Sequence, residues 1–539
     1  MRWPRQIIAA GSLLAFLLSS PWALQARKFY DDDPLLKEPP PLDVKNPASR
    51  KLNEYYDFFT HTLGKLGEKN SSSRTFPARG VNTLGDVPDG PWYVKRHYWH
   101  PMTTEELARG PGSQELPEGG WKVVAAKTEG ITPGFTIDDA LGRRYIIKFD
   151  PRQNQEMASA ADVIGARFFH ALGYHVPENH IVYFGRNRLT VSPDADIRDA
   201  NGKRRPMTGR DIEELLVAVV RGEKGYRAIA SRYLPGKPLG PFRYYGTRSD
   251  DPNDLAPHEH RRDLRGLFVF AAWLAHNDIK SLNTLDTLVE EDGVHFIRHH
   301  LIDFGASLGS DSFTAKSPRA GNAYMFEPAL ALKQLFSLGI YLPHWATANY
   351  PYFPSVGNFE SEIFDPEKWK PNYPIPSFDN RLPDDEFWAA KQVMAFTDQE
   401  IRAIVGSGEF ADPAAQNWLV SNLIVRRNKI GRTYFAKVLP LDRFRVEGGQ
   451  LKFDDLGVKY GFAAARNYDV AWSHFNNETE TLTPIGGPQT ASLPSDLASA
   501  PSGGYFAARV HAGDAAKAVT VYLRKQAEAF RVVGVERSY

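Results

Sequence analysis

Alternation of apolar and polar residues predicts strands over 121–127, 135–138 and 143–149, the last two reversing near Leu141-Gly142. A reversal centred on Leu141 sets Lys148 opposite Gly134. An ammonium group then lies beside the stretch 128–134, which Gly130 and Gly134 punctuate and whose backbone N–H groups can approach a phosphate closely. Over 157–172 the apolar residues Ala161, Ile164, Phe168 and Leu172 recur at helical spacing, and Gly173 ends the run. Strands are expected again at 181–184 and 226–234, either side of a charged insertion, 193–225, with a helix at 212–220. A long helix is expected over 258–275. Beyond it, strands at 285–289 and 294–302 flank an Asp292-Gly293 turn. With those two as the turn residues, Asn283 falls opposite Ile302, next to Asp303. Strands ~4.8 Å apart would bring the Asn283 amide oxygen and the Asp303 carboxylate to one point, as hard oxygen ligands for Mg²⁺ would meet. Asp278 sits just before, on the loop entering the first strand.

Helices at 398–405 and 413–427 follow, and from about residue 429 the pattern becomes strands and tight turns. A hairpin over 444–453 and strands at 505–510, 519–523 and 530–535 make a β-rich tail, interrupted by a Ser/Pro/Gly-rich loop at 486–504. This tail is an accessory binding module or a structural cap. At the other end, 27–90 reads as a mobile, polar, Pro-rich lead-in with one helix around 52–66.

The 539 residues allow two to four domains. A net charge of +1 gives no global pull toward nucleic acid or an anionic membrane surface. The absence of cysteine excludes disulfides, thiolate metal sites and a cysteine nucleophile. Arg2 and Arg5 precede an apolar core at 7–18, and Ala23-Leu24-Gln25-Ala26 offers small residues for cleavage. We read 1–26 as a secretory signal, or as an uncleaved N-terminal anchor, so the body is expected outside the cytoplasm, in a periplasm or secreted. No later stretch approaches a membrane helix in length and apolarity, so no integral membrane domain is expected.

Two motifs carry the chemistry. His276-Asn277-Asp278-Ile279-Lys280-Ser281-Leu282-Asn283 places a carboxylate, a lysine two residues on and an asparagine five residues on. Leu301-Ile302-Asp303-Phe304-Gly305 ends the hairpin. Together they resemble the catalytic loop, H-R-D-x-x-x-x-N, and the D-F-G motif of the protein-kinase-like superfamily. Asn277 departs from the family's Arg, the loop around Gly130 and Gly134 lacks G-x-G-x-x-G, and no A-P-E sequence follows. The short spacing from Lys148 to the next helix is similar to the atypical branch, which includes HipA-type, phosphatidylinositol and secretory kinases.

The resemblance implies an α+β, bilobal fold: a small β-rich lobe at 91–235, a larger helical lobe at 236–428, and the β-rich tail at 429–539. It also implies roles. Lys148 would bind the α/β-phosphates of ATP and Glu156, at the helix start, would orient it, with Asp162 as the rival partner. Gly130 and Gly134 would cover the phosphates, and the stretch 231–236 would meet the adenine. Asp278 would accept the proton of the attacking hydroxyl and Lys280 would offset phosphoryl charge. Asn283 and Asp303 would hold Mg²⁺, with Mn²⁺ a possible substitute. The acceptor, a hydroxyl on a protein, sugar, lipid or small metabolite, stays open. So do a pseudokinase or scaffold on the same fold and a nucleotidyl transferase. His258, Glu259 and His260 are expected as a solvated helix start, His299 and His300 as strand residues, and the aromatics of 343–384 as an irregular region packing its own rings, although such rings can also stack on sugars.

Overall fold

The computed structural model describes residues 27–33, 37–112, 116–126, 133–198, 203–337, 340–487 and 489–539. The expected signal segment and Gly130 lie outside them. The fold is mixed α/β, and its buried apolar side chains fall into three large clusters.

The first cluster is one face of an eight-stranded sheet built from β1 (Trp121–Ala126), β2 (Gly134–Asp138), β3 (Arg144–Phe149), β4 (Asn179–Phe184), β5 (Leu189–Arg198), β6 (Arg204–Pro206), β7 (Arg221–Gly222) and β8 (Gly225–Arg232). Their order is β4-β8-β3-β2-β1-β5-β6, with β7 on β8; pairing is antiparallel except for β1 with β5. The alternation seen in the sequence has a direct cause: Trp121, Val123, Phe135, Ile137, Tyr145, Ile147 and Phe149 all point to one buried face. The charged insertion closes that face, because its helix (Gly209–Val217) lays Ile212 and Leu216 onto it. On the opposite face Val163, from the helix Met157–Ala171, packs with Ile181 and Ile229.

The second cluster surrounds a helix, Arg262–Trp273, in which every residue is buried. Its N-terminal end departs from expectation. His258–His260 form a separate 3₁₀ turn, and all three side chains are buried rather than solvated. Each has a partner, as burial of polar groups requires. His258 binds Asp254 at 2.8 Å, Glu259 accepts the N–H groups of Gly246 (2.7 Å) and Glu68 (3.0 Å), and His260 meets Arg265 at 2.9 Å. A three-stranded sheet in the order β11-β10-β9 takes β9 (Lys237–Gly240) from before that helix and β10 (Thr284–Glu291) and β11 (Val294–Leu301) from after it.

The third cluster belongs to the tail, where a five-stranded antiparallel sheet runs from Leu482–Pro484 through Asp469–Phe475, Tyr505–Ala512 and Asp514–Gln526 to Ala529–Ser538. The lead-in lies along the body instead of standing free of it. Phe29 packs among Phe475, Tyr505 and Tyr522 of the tail. The Val44 and Arg50 N–H groups donate to the His295 and Leu239 carbonyls at 2.8 and 2.6 Å. The helix Glu54–Leu63 sits beside the loop that carries Asp278.

Candidate active site

The β2–β3 hairpin pairs Gly134 with Lys148, and β3 pairs Lys148 with Ile229. Its neighbours Ile147 and Phe149 face the sheet's core, so Lys148 points the other way, toward the helix Met157–Ala171. There its Nζ donates to Asp162 Oδ2 at 2.9 Å and to Asp303 Oδ1 at 3.0 Å. Burial alone would lower the lysine's pKa, but the Asp162 and Asp303 carboxylates override it and hold the ammonium above its ordinary value. Burial pushes the Asp162 carboxyl up, against the pull of Lys148.

Asp162 is the partner, and Glu156 is not. Glu156 precedes the helix with φ +71°, and its carboxylate accepts the Ala411 N–H at 3.0 Å. One and a half turns further on, Asp162 lies on the face turned to the sheet. Its Oδ1 also accepts the side-chain amide of Asn179 (3.0 Å) and the Phe304 N–H (3.1 Å), so one buried carboxylate ties strand, helix and the Asp-Phe-Gly segment together. Phe304 is fully buried and stacks on Phe169 of the same helix at 5.0 Å. Gly165 permits that approach, since a Cβ there would meet Phe304 Cβ at 2.6 Å.

The β10–β11 hairpin has the register expected from its turn. Thr284 pairs with Leu301, and the Ile302 N–H donates to the Asn283 carbonyl at 3.0 Å. Asn283 turns its side-chain amide N–H groups toward Asp278, reaching the backbone carbonyl at 2.7 Å and Oδ2 at 3.0 Å. Its Oδ1 is thereby left for another donor or a cation. Asp303 follows with φ +61° and a half-exposed side chain. A carboxylate and an amide oxygen are the hard donors Mg²⁺ takes, and a metal on nucleotide phosphates needs one or two protein carboxylates rather than a full protein cage. Among the described residues no three His, Asp or Glu side chains converge as a metal cluster. Asn283 and Asp303 fit the phosphate-shared arrangement.

Asp278 is held from several sides. Its Oδ1 accepts the Asn372 side-chain amide at 3.0 Å and lies 3.3 Å from Lys280 Nζ. Lys280 reaches past it to Glu54 at 2.5 Å. Behind the carboxylate runs a polar relay: buried Lys316 donates to Asn277 Oδ1, and Asn277 donates to Asn372 Oδ1 at 2.5 Å. Burial brings the Lys316 ammonium down to about 8, against the attraction of Asp311 and Asp278. His276 hydrogen-bonds the Ala306 carbonyl at 3.2 Å, and burial brings it down to about 4, which keeps it neutral near pH 7.

The structure therefore brings Lys148, Asp162 and Asp303 into one group, and Asp278, Lys280 and Asn283 into an adjoining one joined through the hairpin end. Gly134 opens β2 opposite Lys148; Glu156 stands apart. Lys316, Asn372 and Glu54 join the site although no sequence reading pointed to them. They lie 39, 95 and 226 residues from their partners, and no local motif marks such distances. Asp162 did leave a trace: it is the sole acidic residue within Met157–Ala171.

No protein-family model and no curated protein sequence matches the chain. Among solved structures it is similar to the Helicobacter pylori proinflammatory kinase CtkA, at 12% identity and a TM-score of 0.31 over 58% of this chain and 94% of that one. It is also similar to the Golgi casein kinase with Mn/ADP bound, at 10% identity and a TM-score of 0.27 over 59% and 72% of the two chains. A further structure of the Golgi casein kinase gives 11% identity and a TM-score of 0.29 over 64% and 84%.

Proposed function

We propose that the chain is an exported, atypical kinase-like phosphotransferase that moves the γ-phosphoryl group of ATP to a hydroxyl acceptor. The eight-stranded sheet is read as its small lobe and the cluster around Arg262–Trp273 as its large lobe. The observation that carries the reading is the meeting of Lys148 with Asp162 and Asp303, beside an Asp278 held by Asn283. A half-buried cation from the eight-stranded sheet and the carboxylate that ends the β10–β11 hairpin are thereby brought together. Phosphoryl transfer depends mainly on such positioning and charge neutralisation.

In this account Lys148 holds the α/β-phosphates and Asp162 orients it, the role Glu156 does not fill. Asn283 and Asp303 would hold Mg²⁺ or Mn²⁺, which when bound offsets phosphate charge. Asp278 accepts the acceptor's hydroxyl proton as the acceptor oxygen bonds to the γ-phosphorus. The bond from that phosphorus to the bridging oxygen breaks and ADP leaves with the electron pair. Lys280 neutralises charge on the group in transit. A scaffold without turnover has one observation in its favour: Glu54 already occupies the Lys280 ammonium. The two readings separate on nucleotide turnover by the full chain. We expect measurable ADP release, cut at least ~10²-fold in Asp278→Ala with Mg-ATP binding retained. Undiminished turnover in that variant removes Asp278 from the chemistry.

A further inference from the structure

A cavity of about 460 Å³ opens next to this site, within the size of small-molecule pockets. Its wall includes Lys370 and Pro371, and the next residue, Asn372, donates to the Asp278 carboxylate at 3.0 Å. One strand of chain thus runs from the cavity to the proposed base. Half-buried rings of Tyr324, Tyr341 and Trp345 line it above buried Trp369. Trp369 is fixed edge-on to Phe268 at 5.4 Å and backed by Gly321, where a Cβ would meet its Nε1 at 2.9 Å.

The charges sharpen the chemistry. Three carboxylates and three Lys or Arg cations line the cavity, so their sum is zero. Each already has an ion partner: Glu327 with Lys370 (2.7 Å), Asp379 with Lys69 (3.3 Å), Arg381 with Glu386 (2.9 Å), Glu367 with Lys437 (2.7 Å) and Lys368 with Asp365 (2.8 Å). An anionic or cationic ligand finds no unneutralised counter-charge there, and an alkyl chain would strip water from paired ions without replacing it. A neutral ligand rich in hydroxyl groups meets both needs. Its C–H faces stack on aromatic rings, and its hydroxyls donate to carboxylates and accept from ammonium and guanidinium groups.

Resting on the phosphotransferase reading, we infer that this cavity is the acceptor site and that the acceptor is a neutral carbohydrate, one hydroxyl of which is presented to Asp278. The test is saturation-transfer NMR on the full chain, probed with methyl glycosides of glucose, galactose, mannose, xylose and N-acetylglucosamine, and with lactose and maltose. Transfer to at least one probe is expected, with affinity at least tenfold weaker in Trp345→Ala and in Tyr341→Ala, both checked for native circular dichroism. Asp303→Ala should bind that probe unchanged. No transfer to any probe at millimolar concentration overturns the assignment, as does undiminished binding in both ring variants. A chain that responds to Mg-ATP but to no glycoside loses the carbohydrate assignment alone. One that binds glycosides through these rings, yet shows neither Mg-ATP binding nor turnover, keeps the site and loses the phosphotransferase reading.

Discussion

At Lys148 two carboxylates share one ammonium, and they are not equivalent. Asp162 is buried and carries two further hydrogen bonds, whereas Asp303 is half exposed and is the proposed metal ligand. Removing the buried charge should therefore hurt more than removing a helix-start carboxylate that only receives a backbone N–H. We expect Asp162→Asn to lower stability by about 1–3 kcal/mol and to cut turnover at least tenfold. Glu156→Gln, which keeps an oxygen for the Ala411 N–H, should stay within about 0.5 kcal/mol of the parent. Equal effects in denaturant melts and turnover assays would reverse the assignment of partner. Lys316 allows a pH prediction with a definite sign. Its folded pKa is depressed to about 8, so between there and its ordinary value the unfolded chain binds the extra proton. Stability from this group therefore rises with pH across that window, by at most about 1.4 kcal/mol per unit. Plotted against pH, the stability difference between parent and Lys316→Met should climb above pH 8; a flat difference would mean that the ammonium is not buried as described.

At the scale of elements, the two hairpins were legible because register follows from the turn. Once Asp292-Gly293 and Leu141-Gly142 were placed, the pairs Asn283 with Ile302 and Lys148 with Gly134 followed by counting, and the structure has both. Helix positions were legible too, but not which acid on the helix Met157–Ala171 would face the sheet. That depends on where the first turn begins, and Glu156 lies just outside it with a left-handed backbone. The turn at His258–His260 failed differently. Charged residues at a helix start read as solvated, but the lead-in and the 243–254 loop fold over them, and Trp92 packs on His258. The helix Glu54–Leu63 adds its own device by carrying Glu54 to Lys280. Glu54 is two-thirds exposed, so Glu54→Gln should move the melting temperature little, the pair contributing less than about 1 kcal/mol. It should raise turnover by freeing Lys280 for the phosphoryl group; a fall in turnover would instead make Glu54 a positioning residue for that lysine.

Across the whole molecule, the tail's separate apolar cluster starts at Leu439 and has its own five-stranded sheet, whereas residue 429, where the pattern was expected to change, lies inside the helix Pro413–Phe435, whose Ile430 and Tyr434 pack in the cluster around Arg262–Trp273. What sequence patterning missed is how the pieces are tied. Phe29 joins the tail sheet, and the lead-in then runs along the body to Glu54 and on to Asn70, which bonds Asn380 at 2.8 and 2.9 Å. Those contacts span hundreds of residues and use single polar or aromatic side chains, so no periodic pattern announces them. The relay Lys316–Asn277–Asn372–Asp278 is of the same kind. It starts from buried Lys316 and holds the proposed base by hydrogen bonds through Asn277 and Asn372.

A thermal melt of residues 27–539 with and without Mg-ATP tests for a metal-dependent nucleotide site between Lys148, Asn283 and Asp303 without knowledge of the acceptor. Ligand at about 100 times its dissociation constant adds ~2.7 kcal/mol, enough for a rise of a few degrees. The expected result is a rise that requires the metal and disappears in Asp303→Ala. No rise with any nucleotide and either Mg²⁺ or Mn²⁺, or a rise that survives in Asp303→Ala, would contradict it.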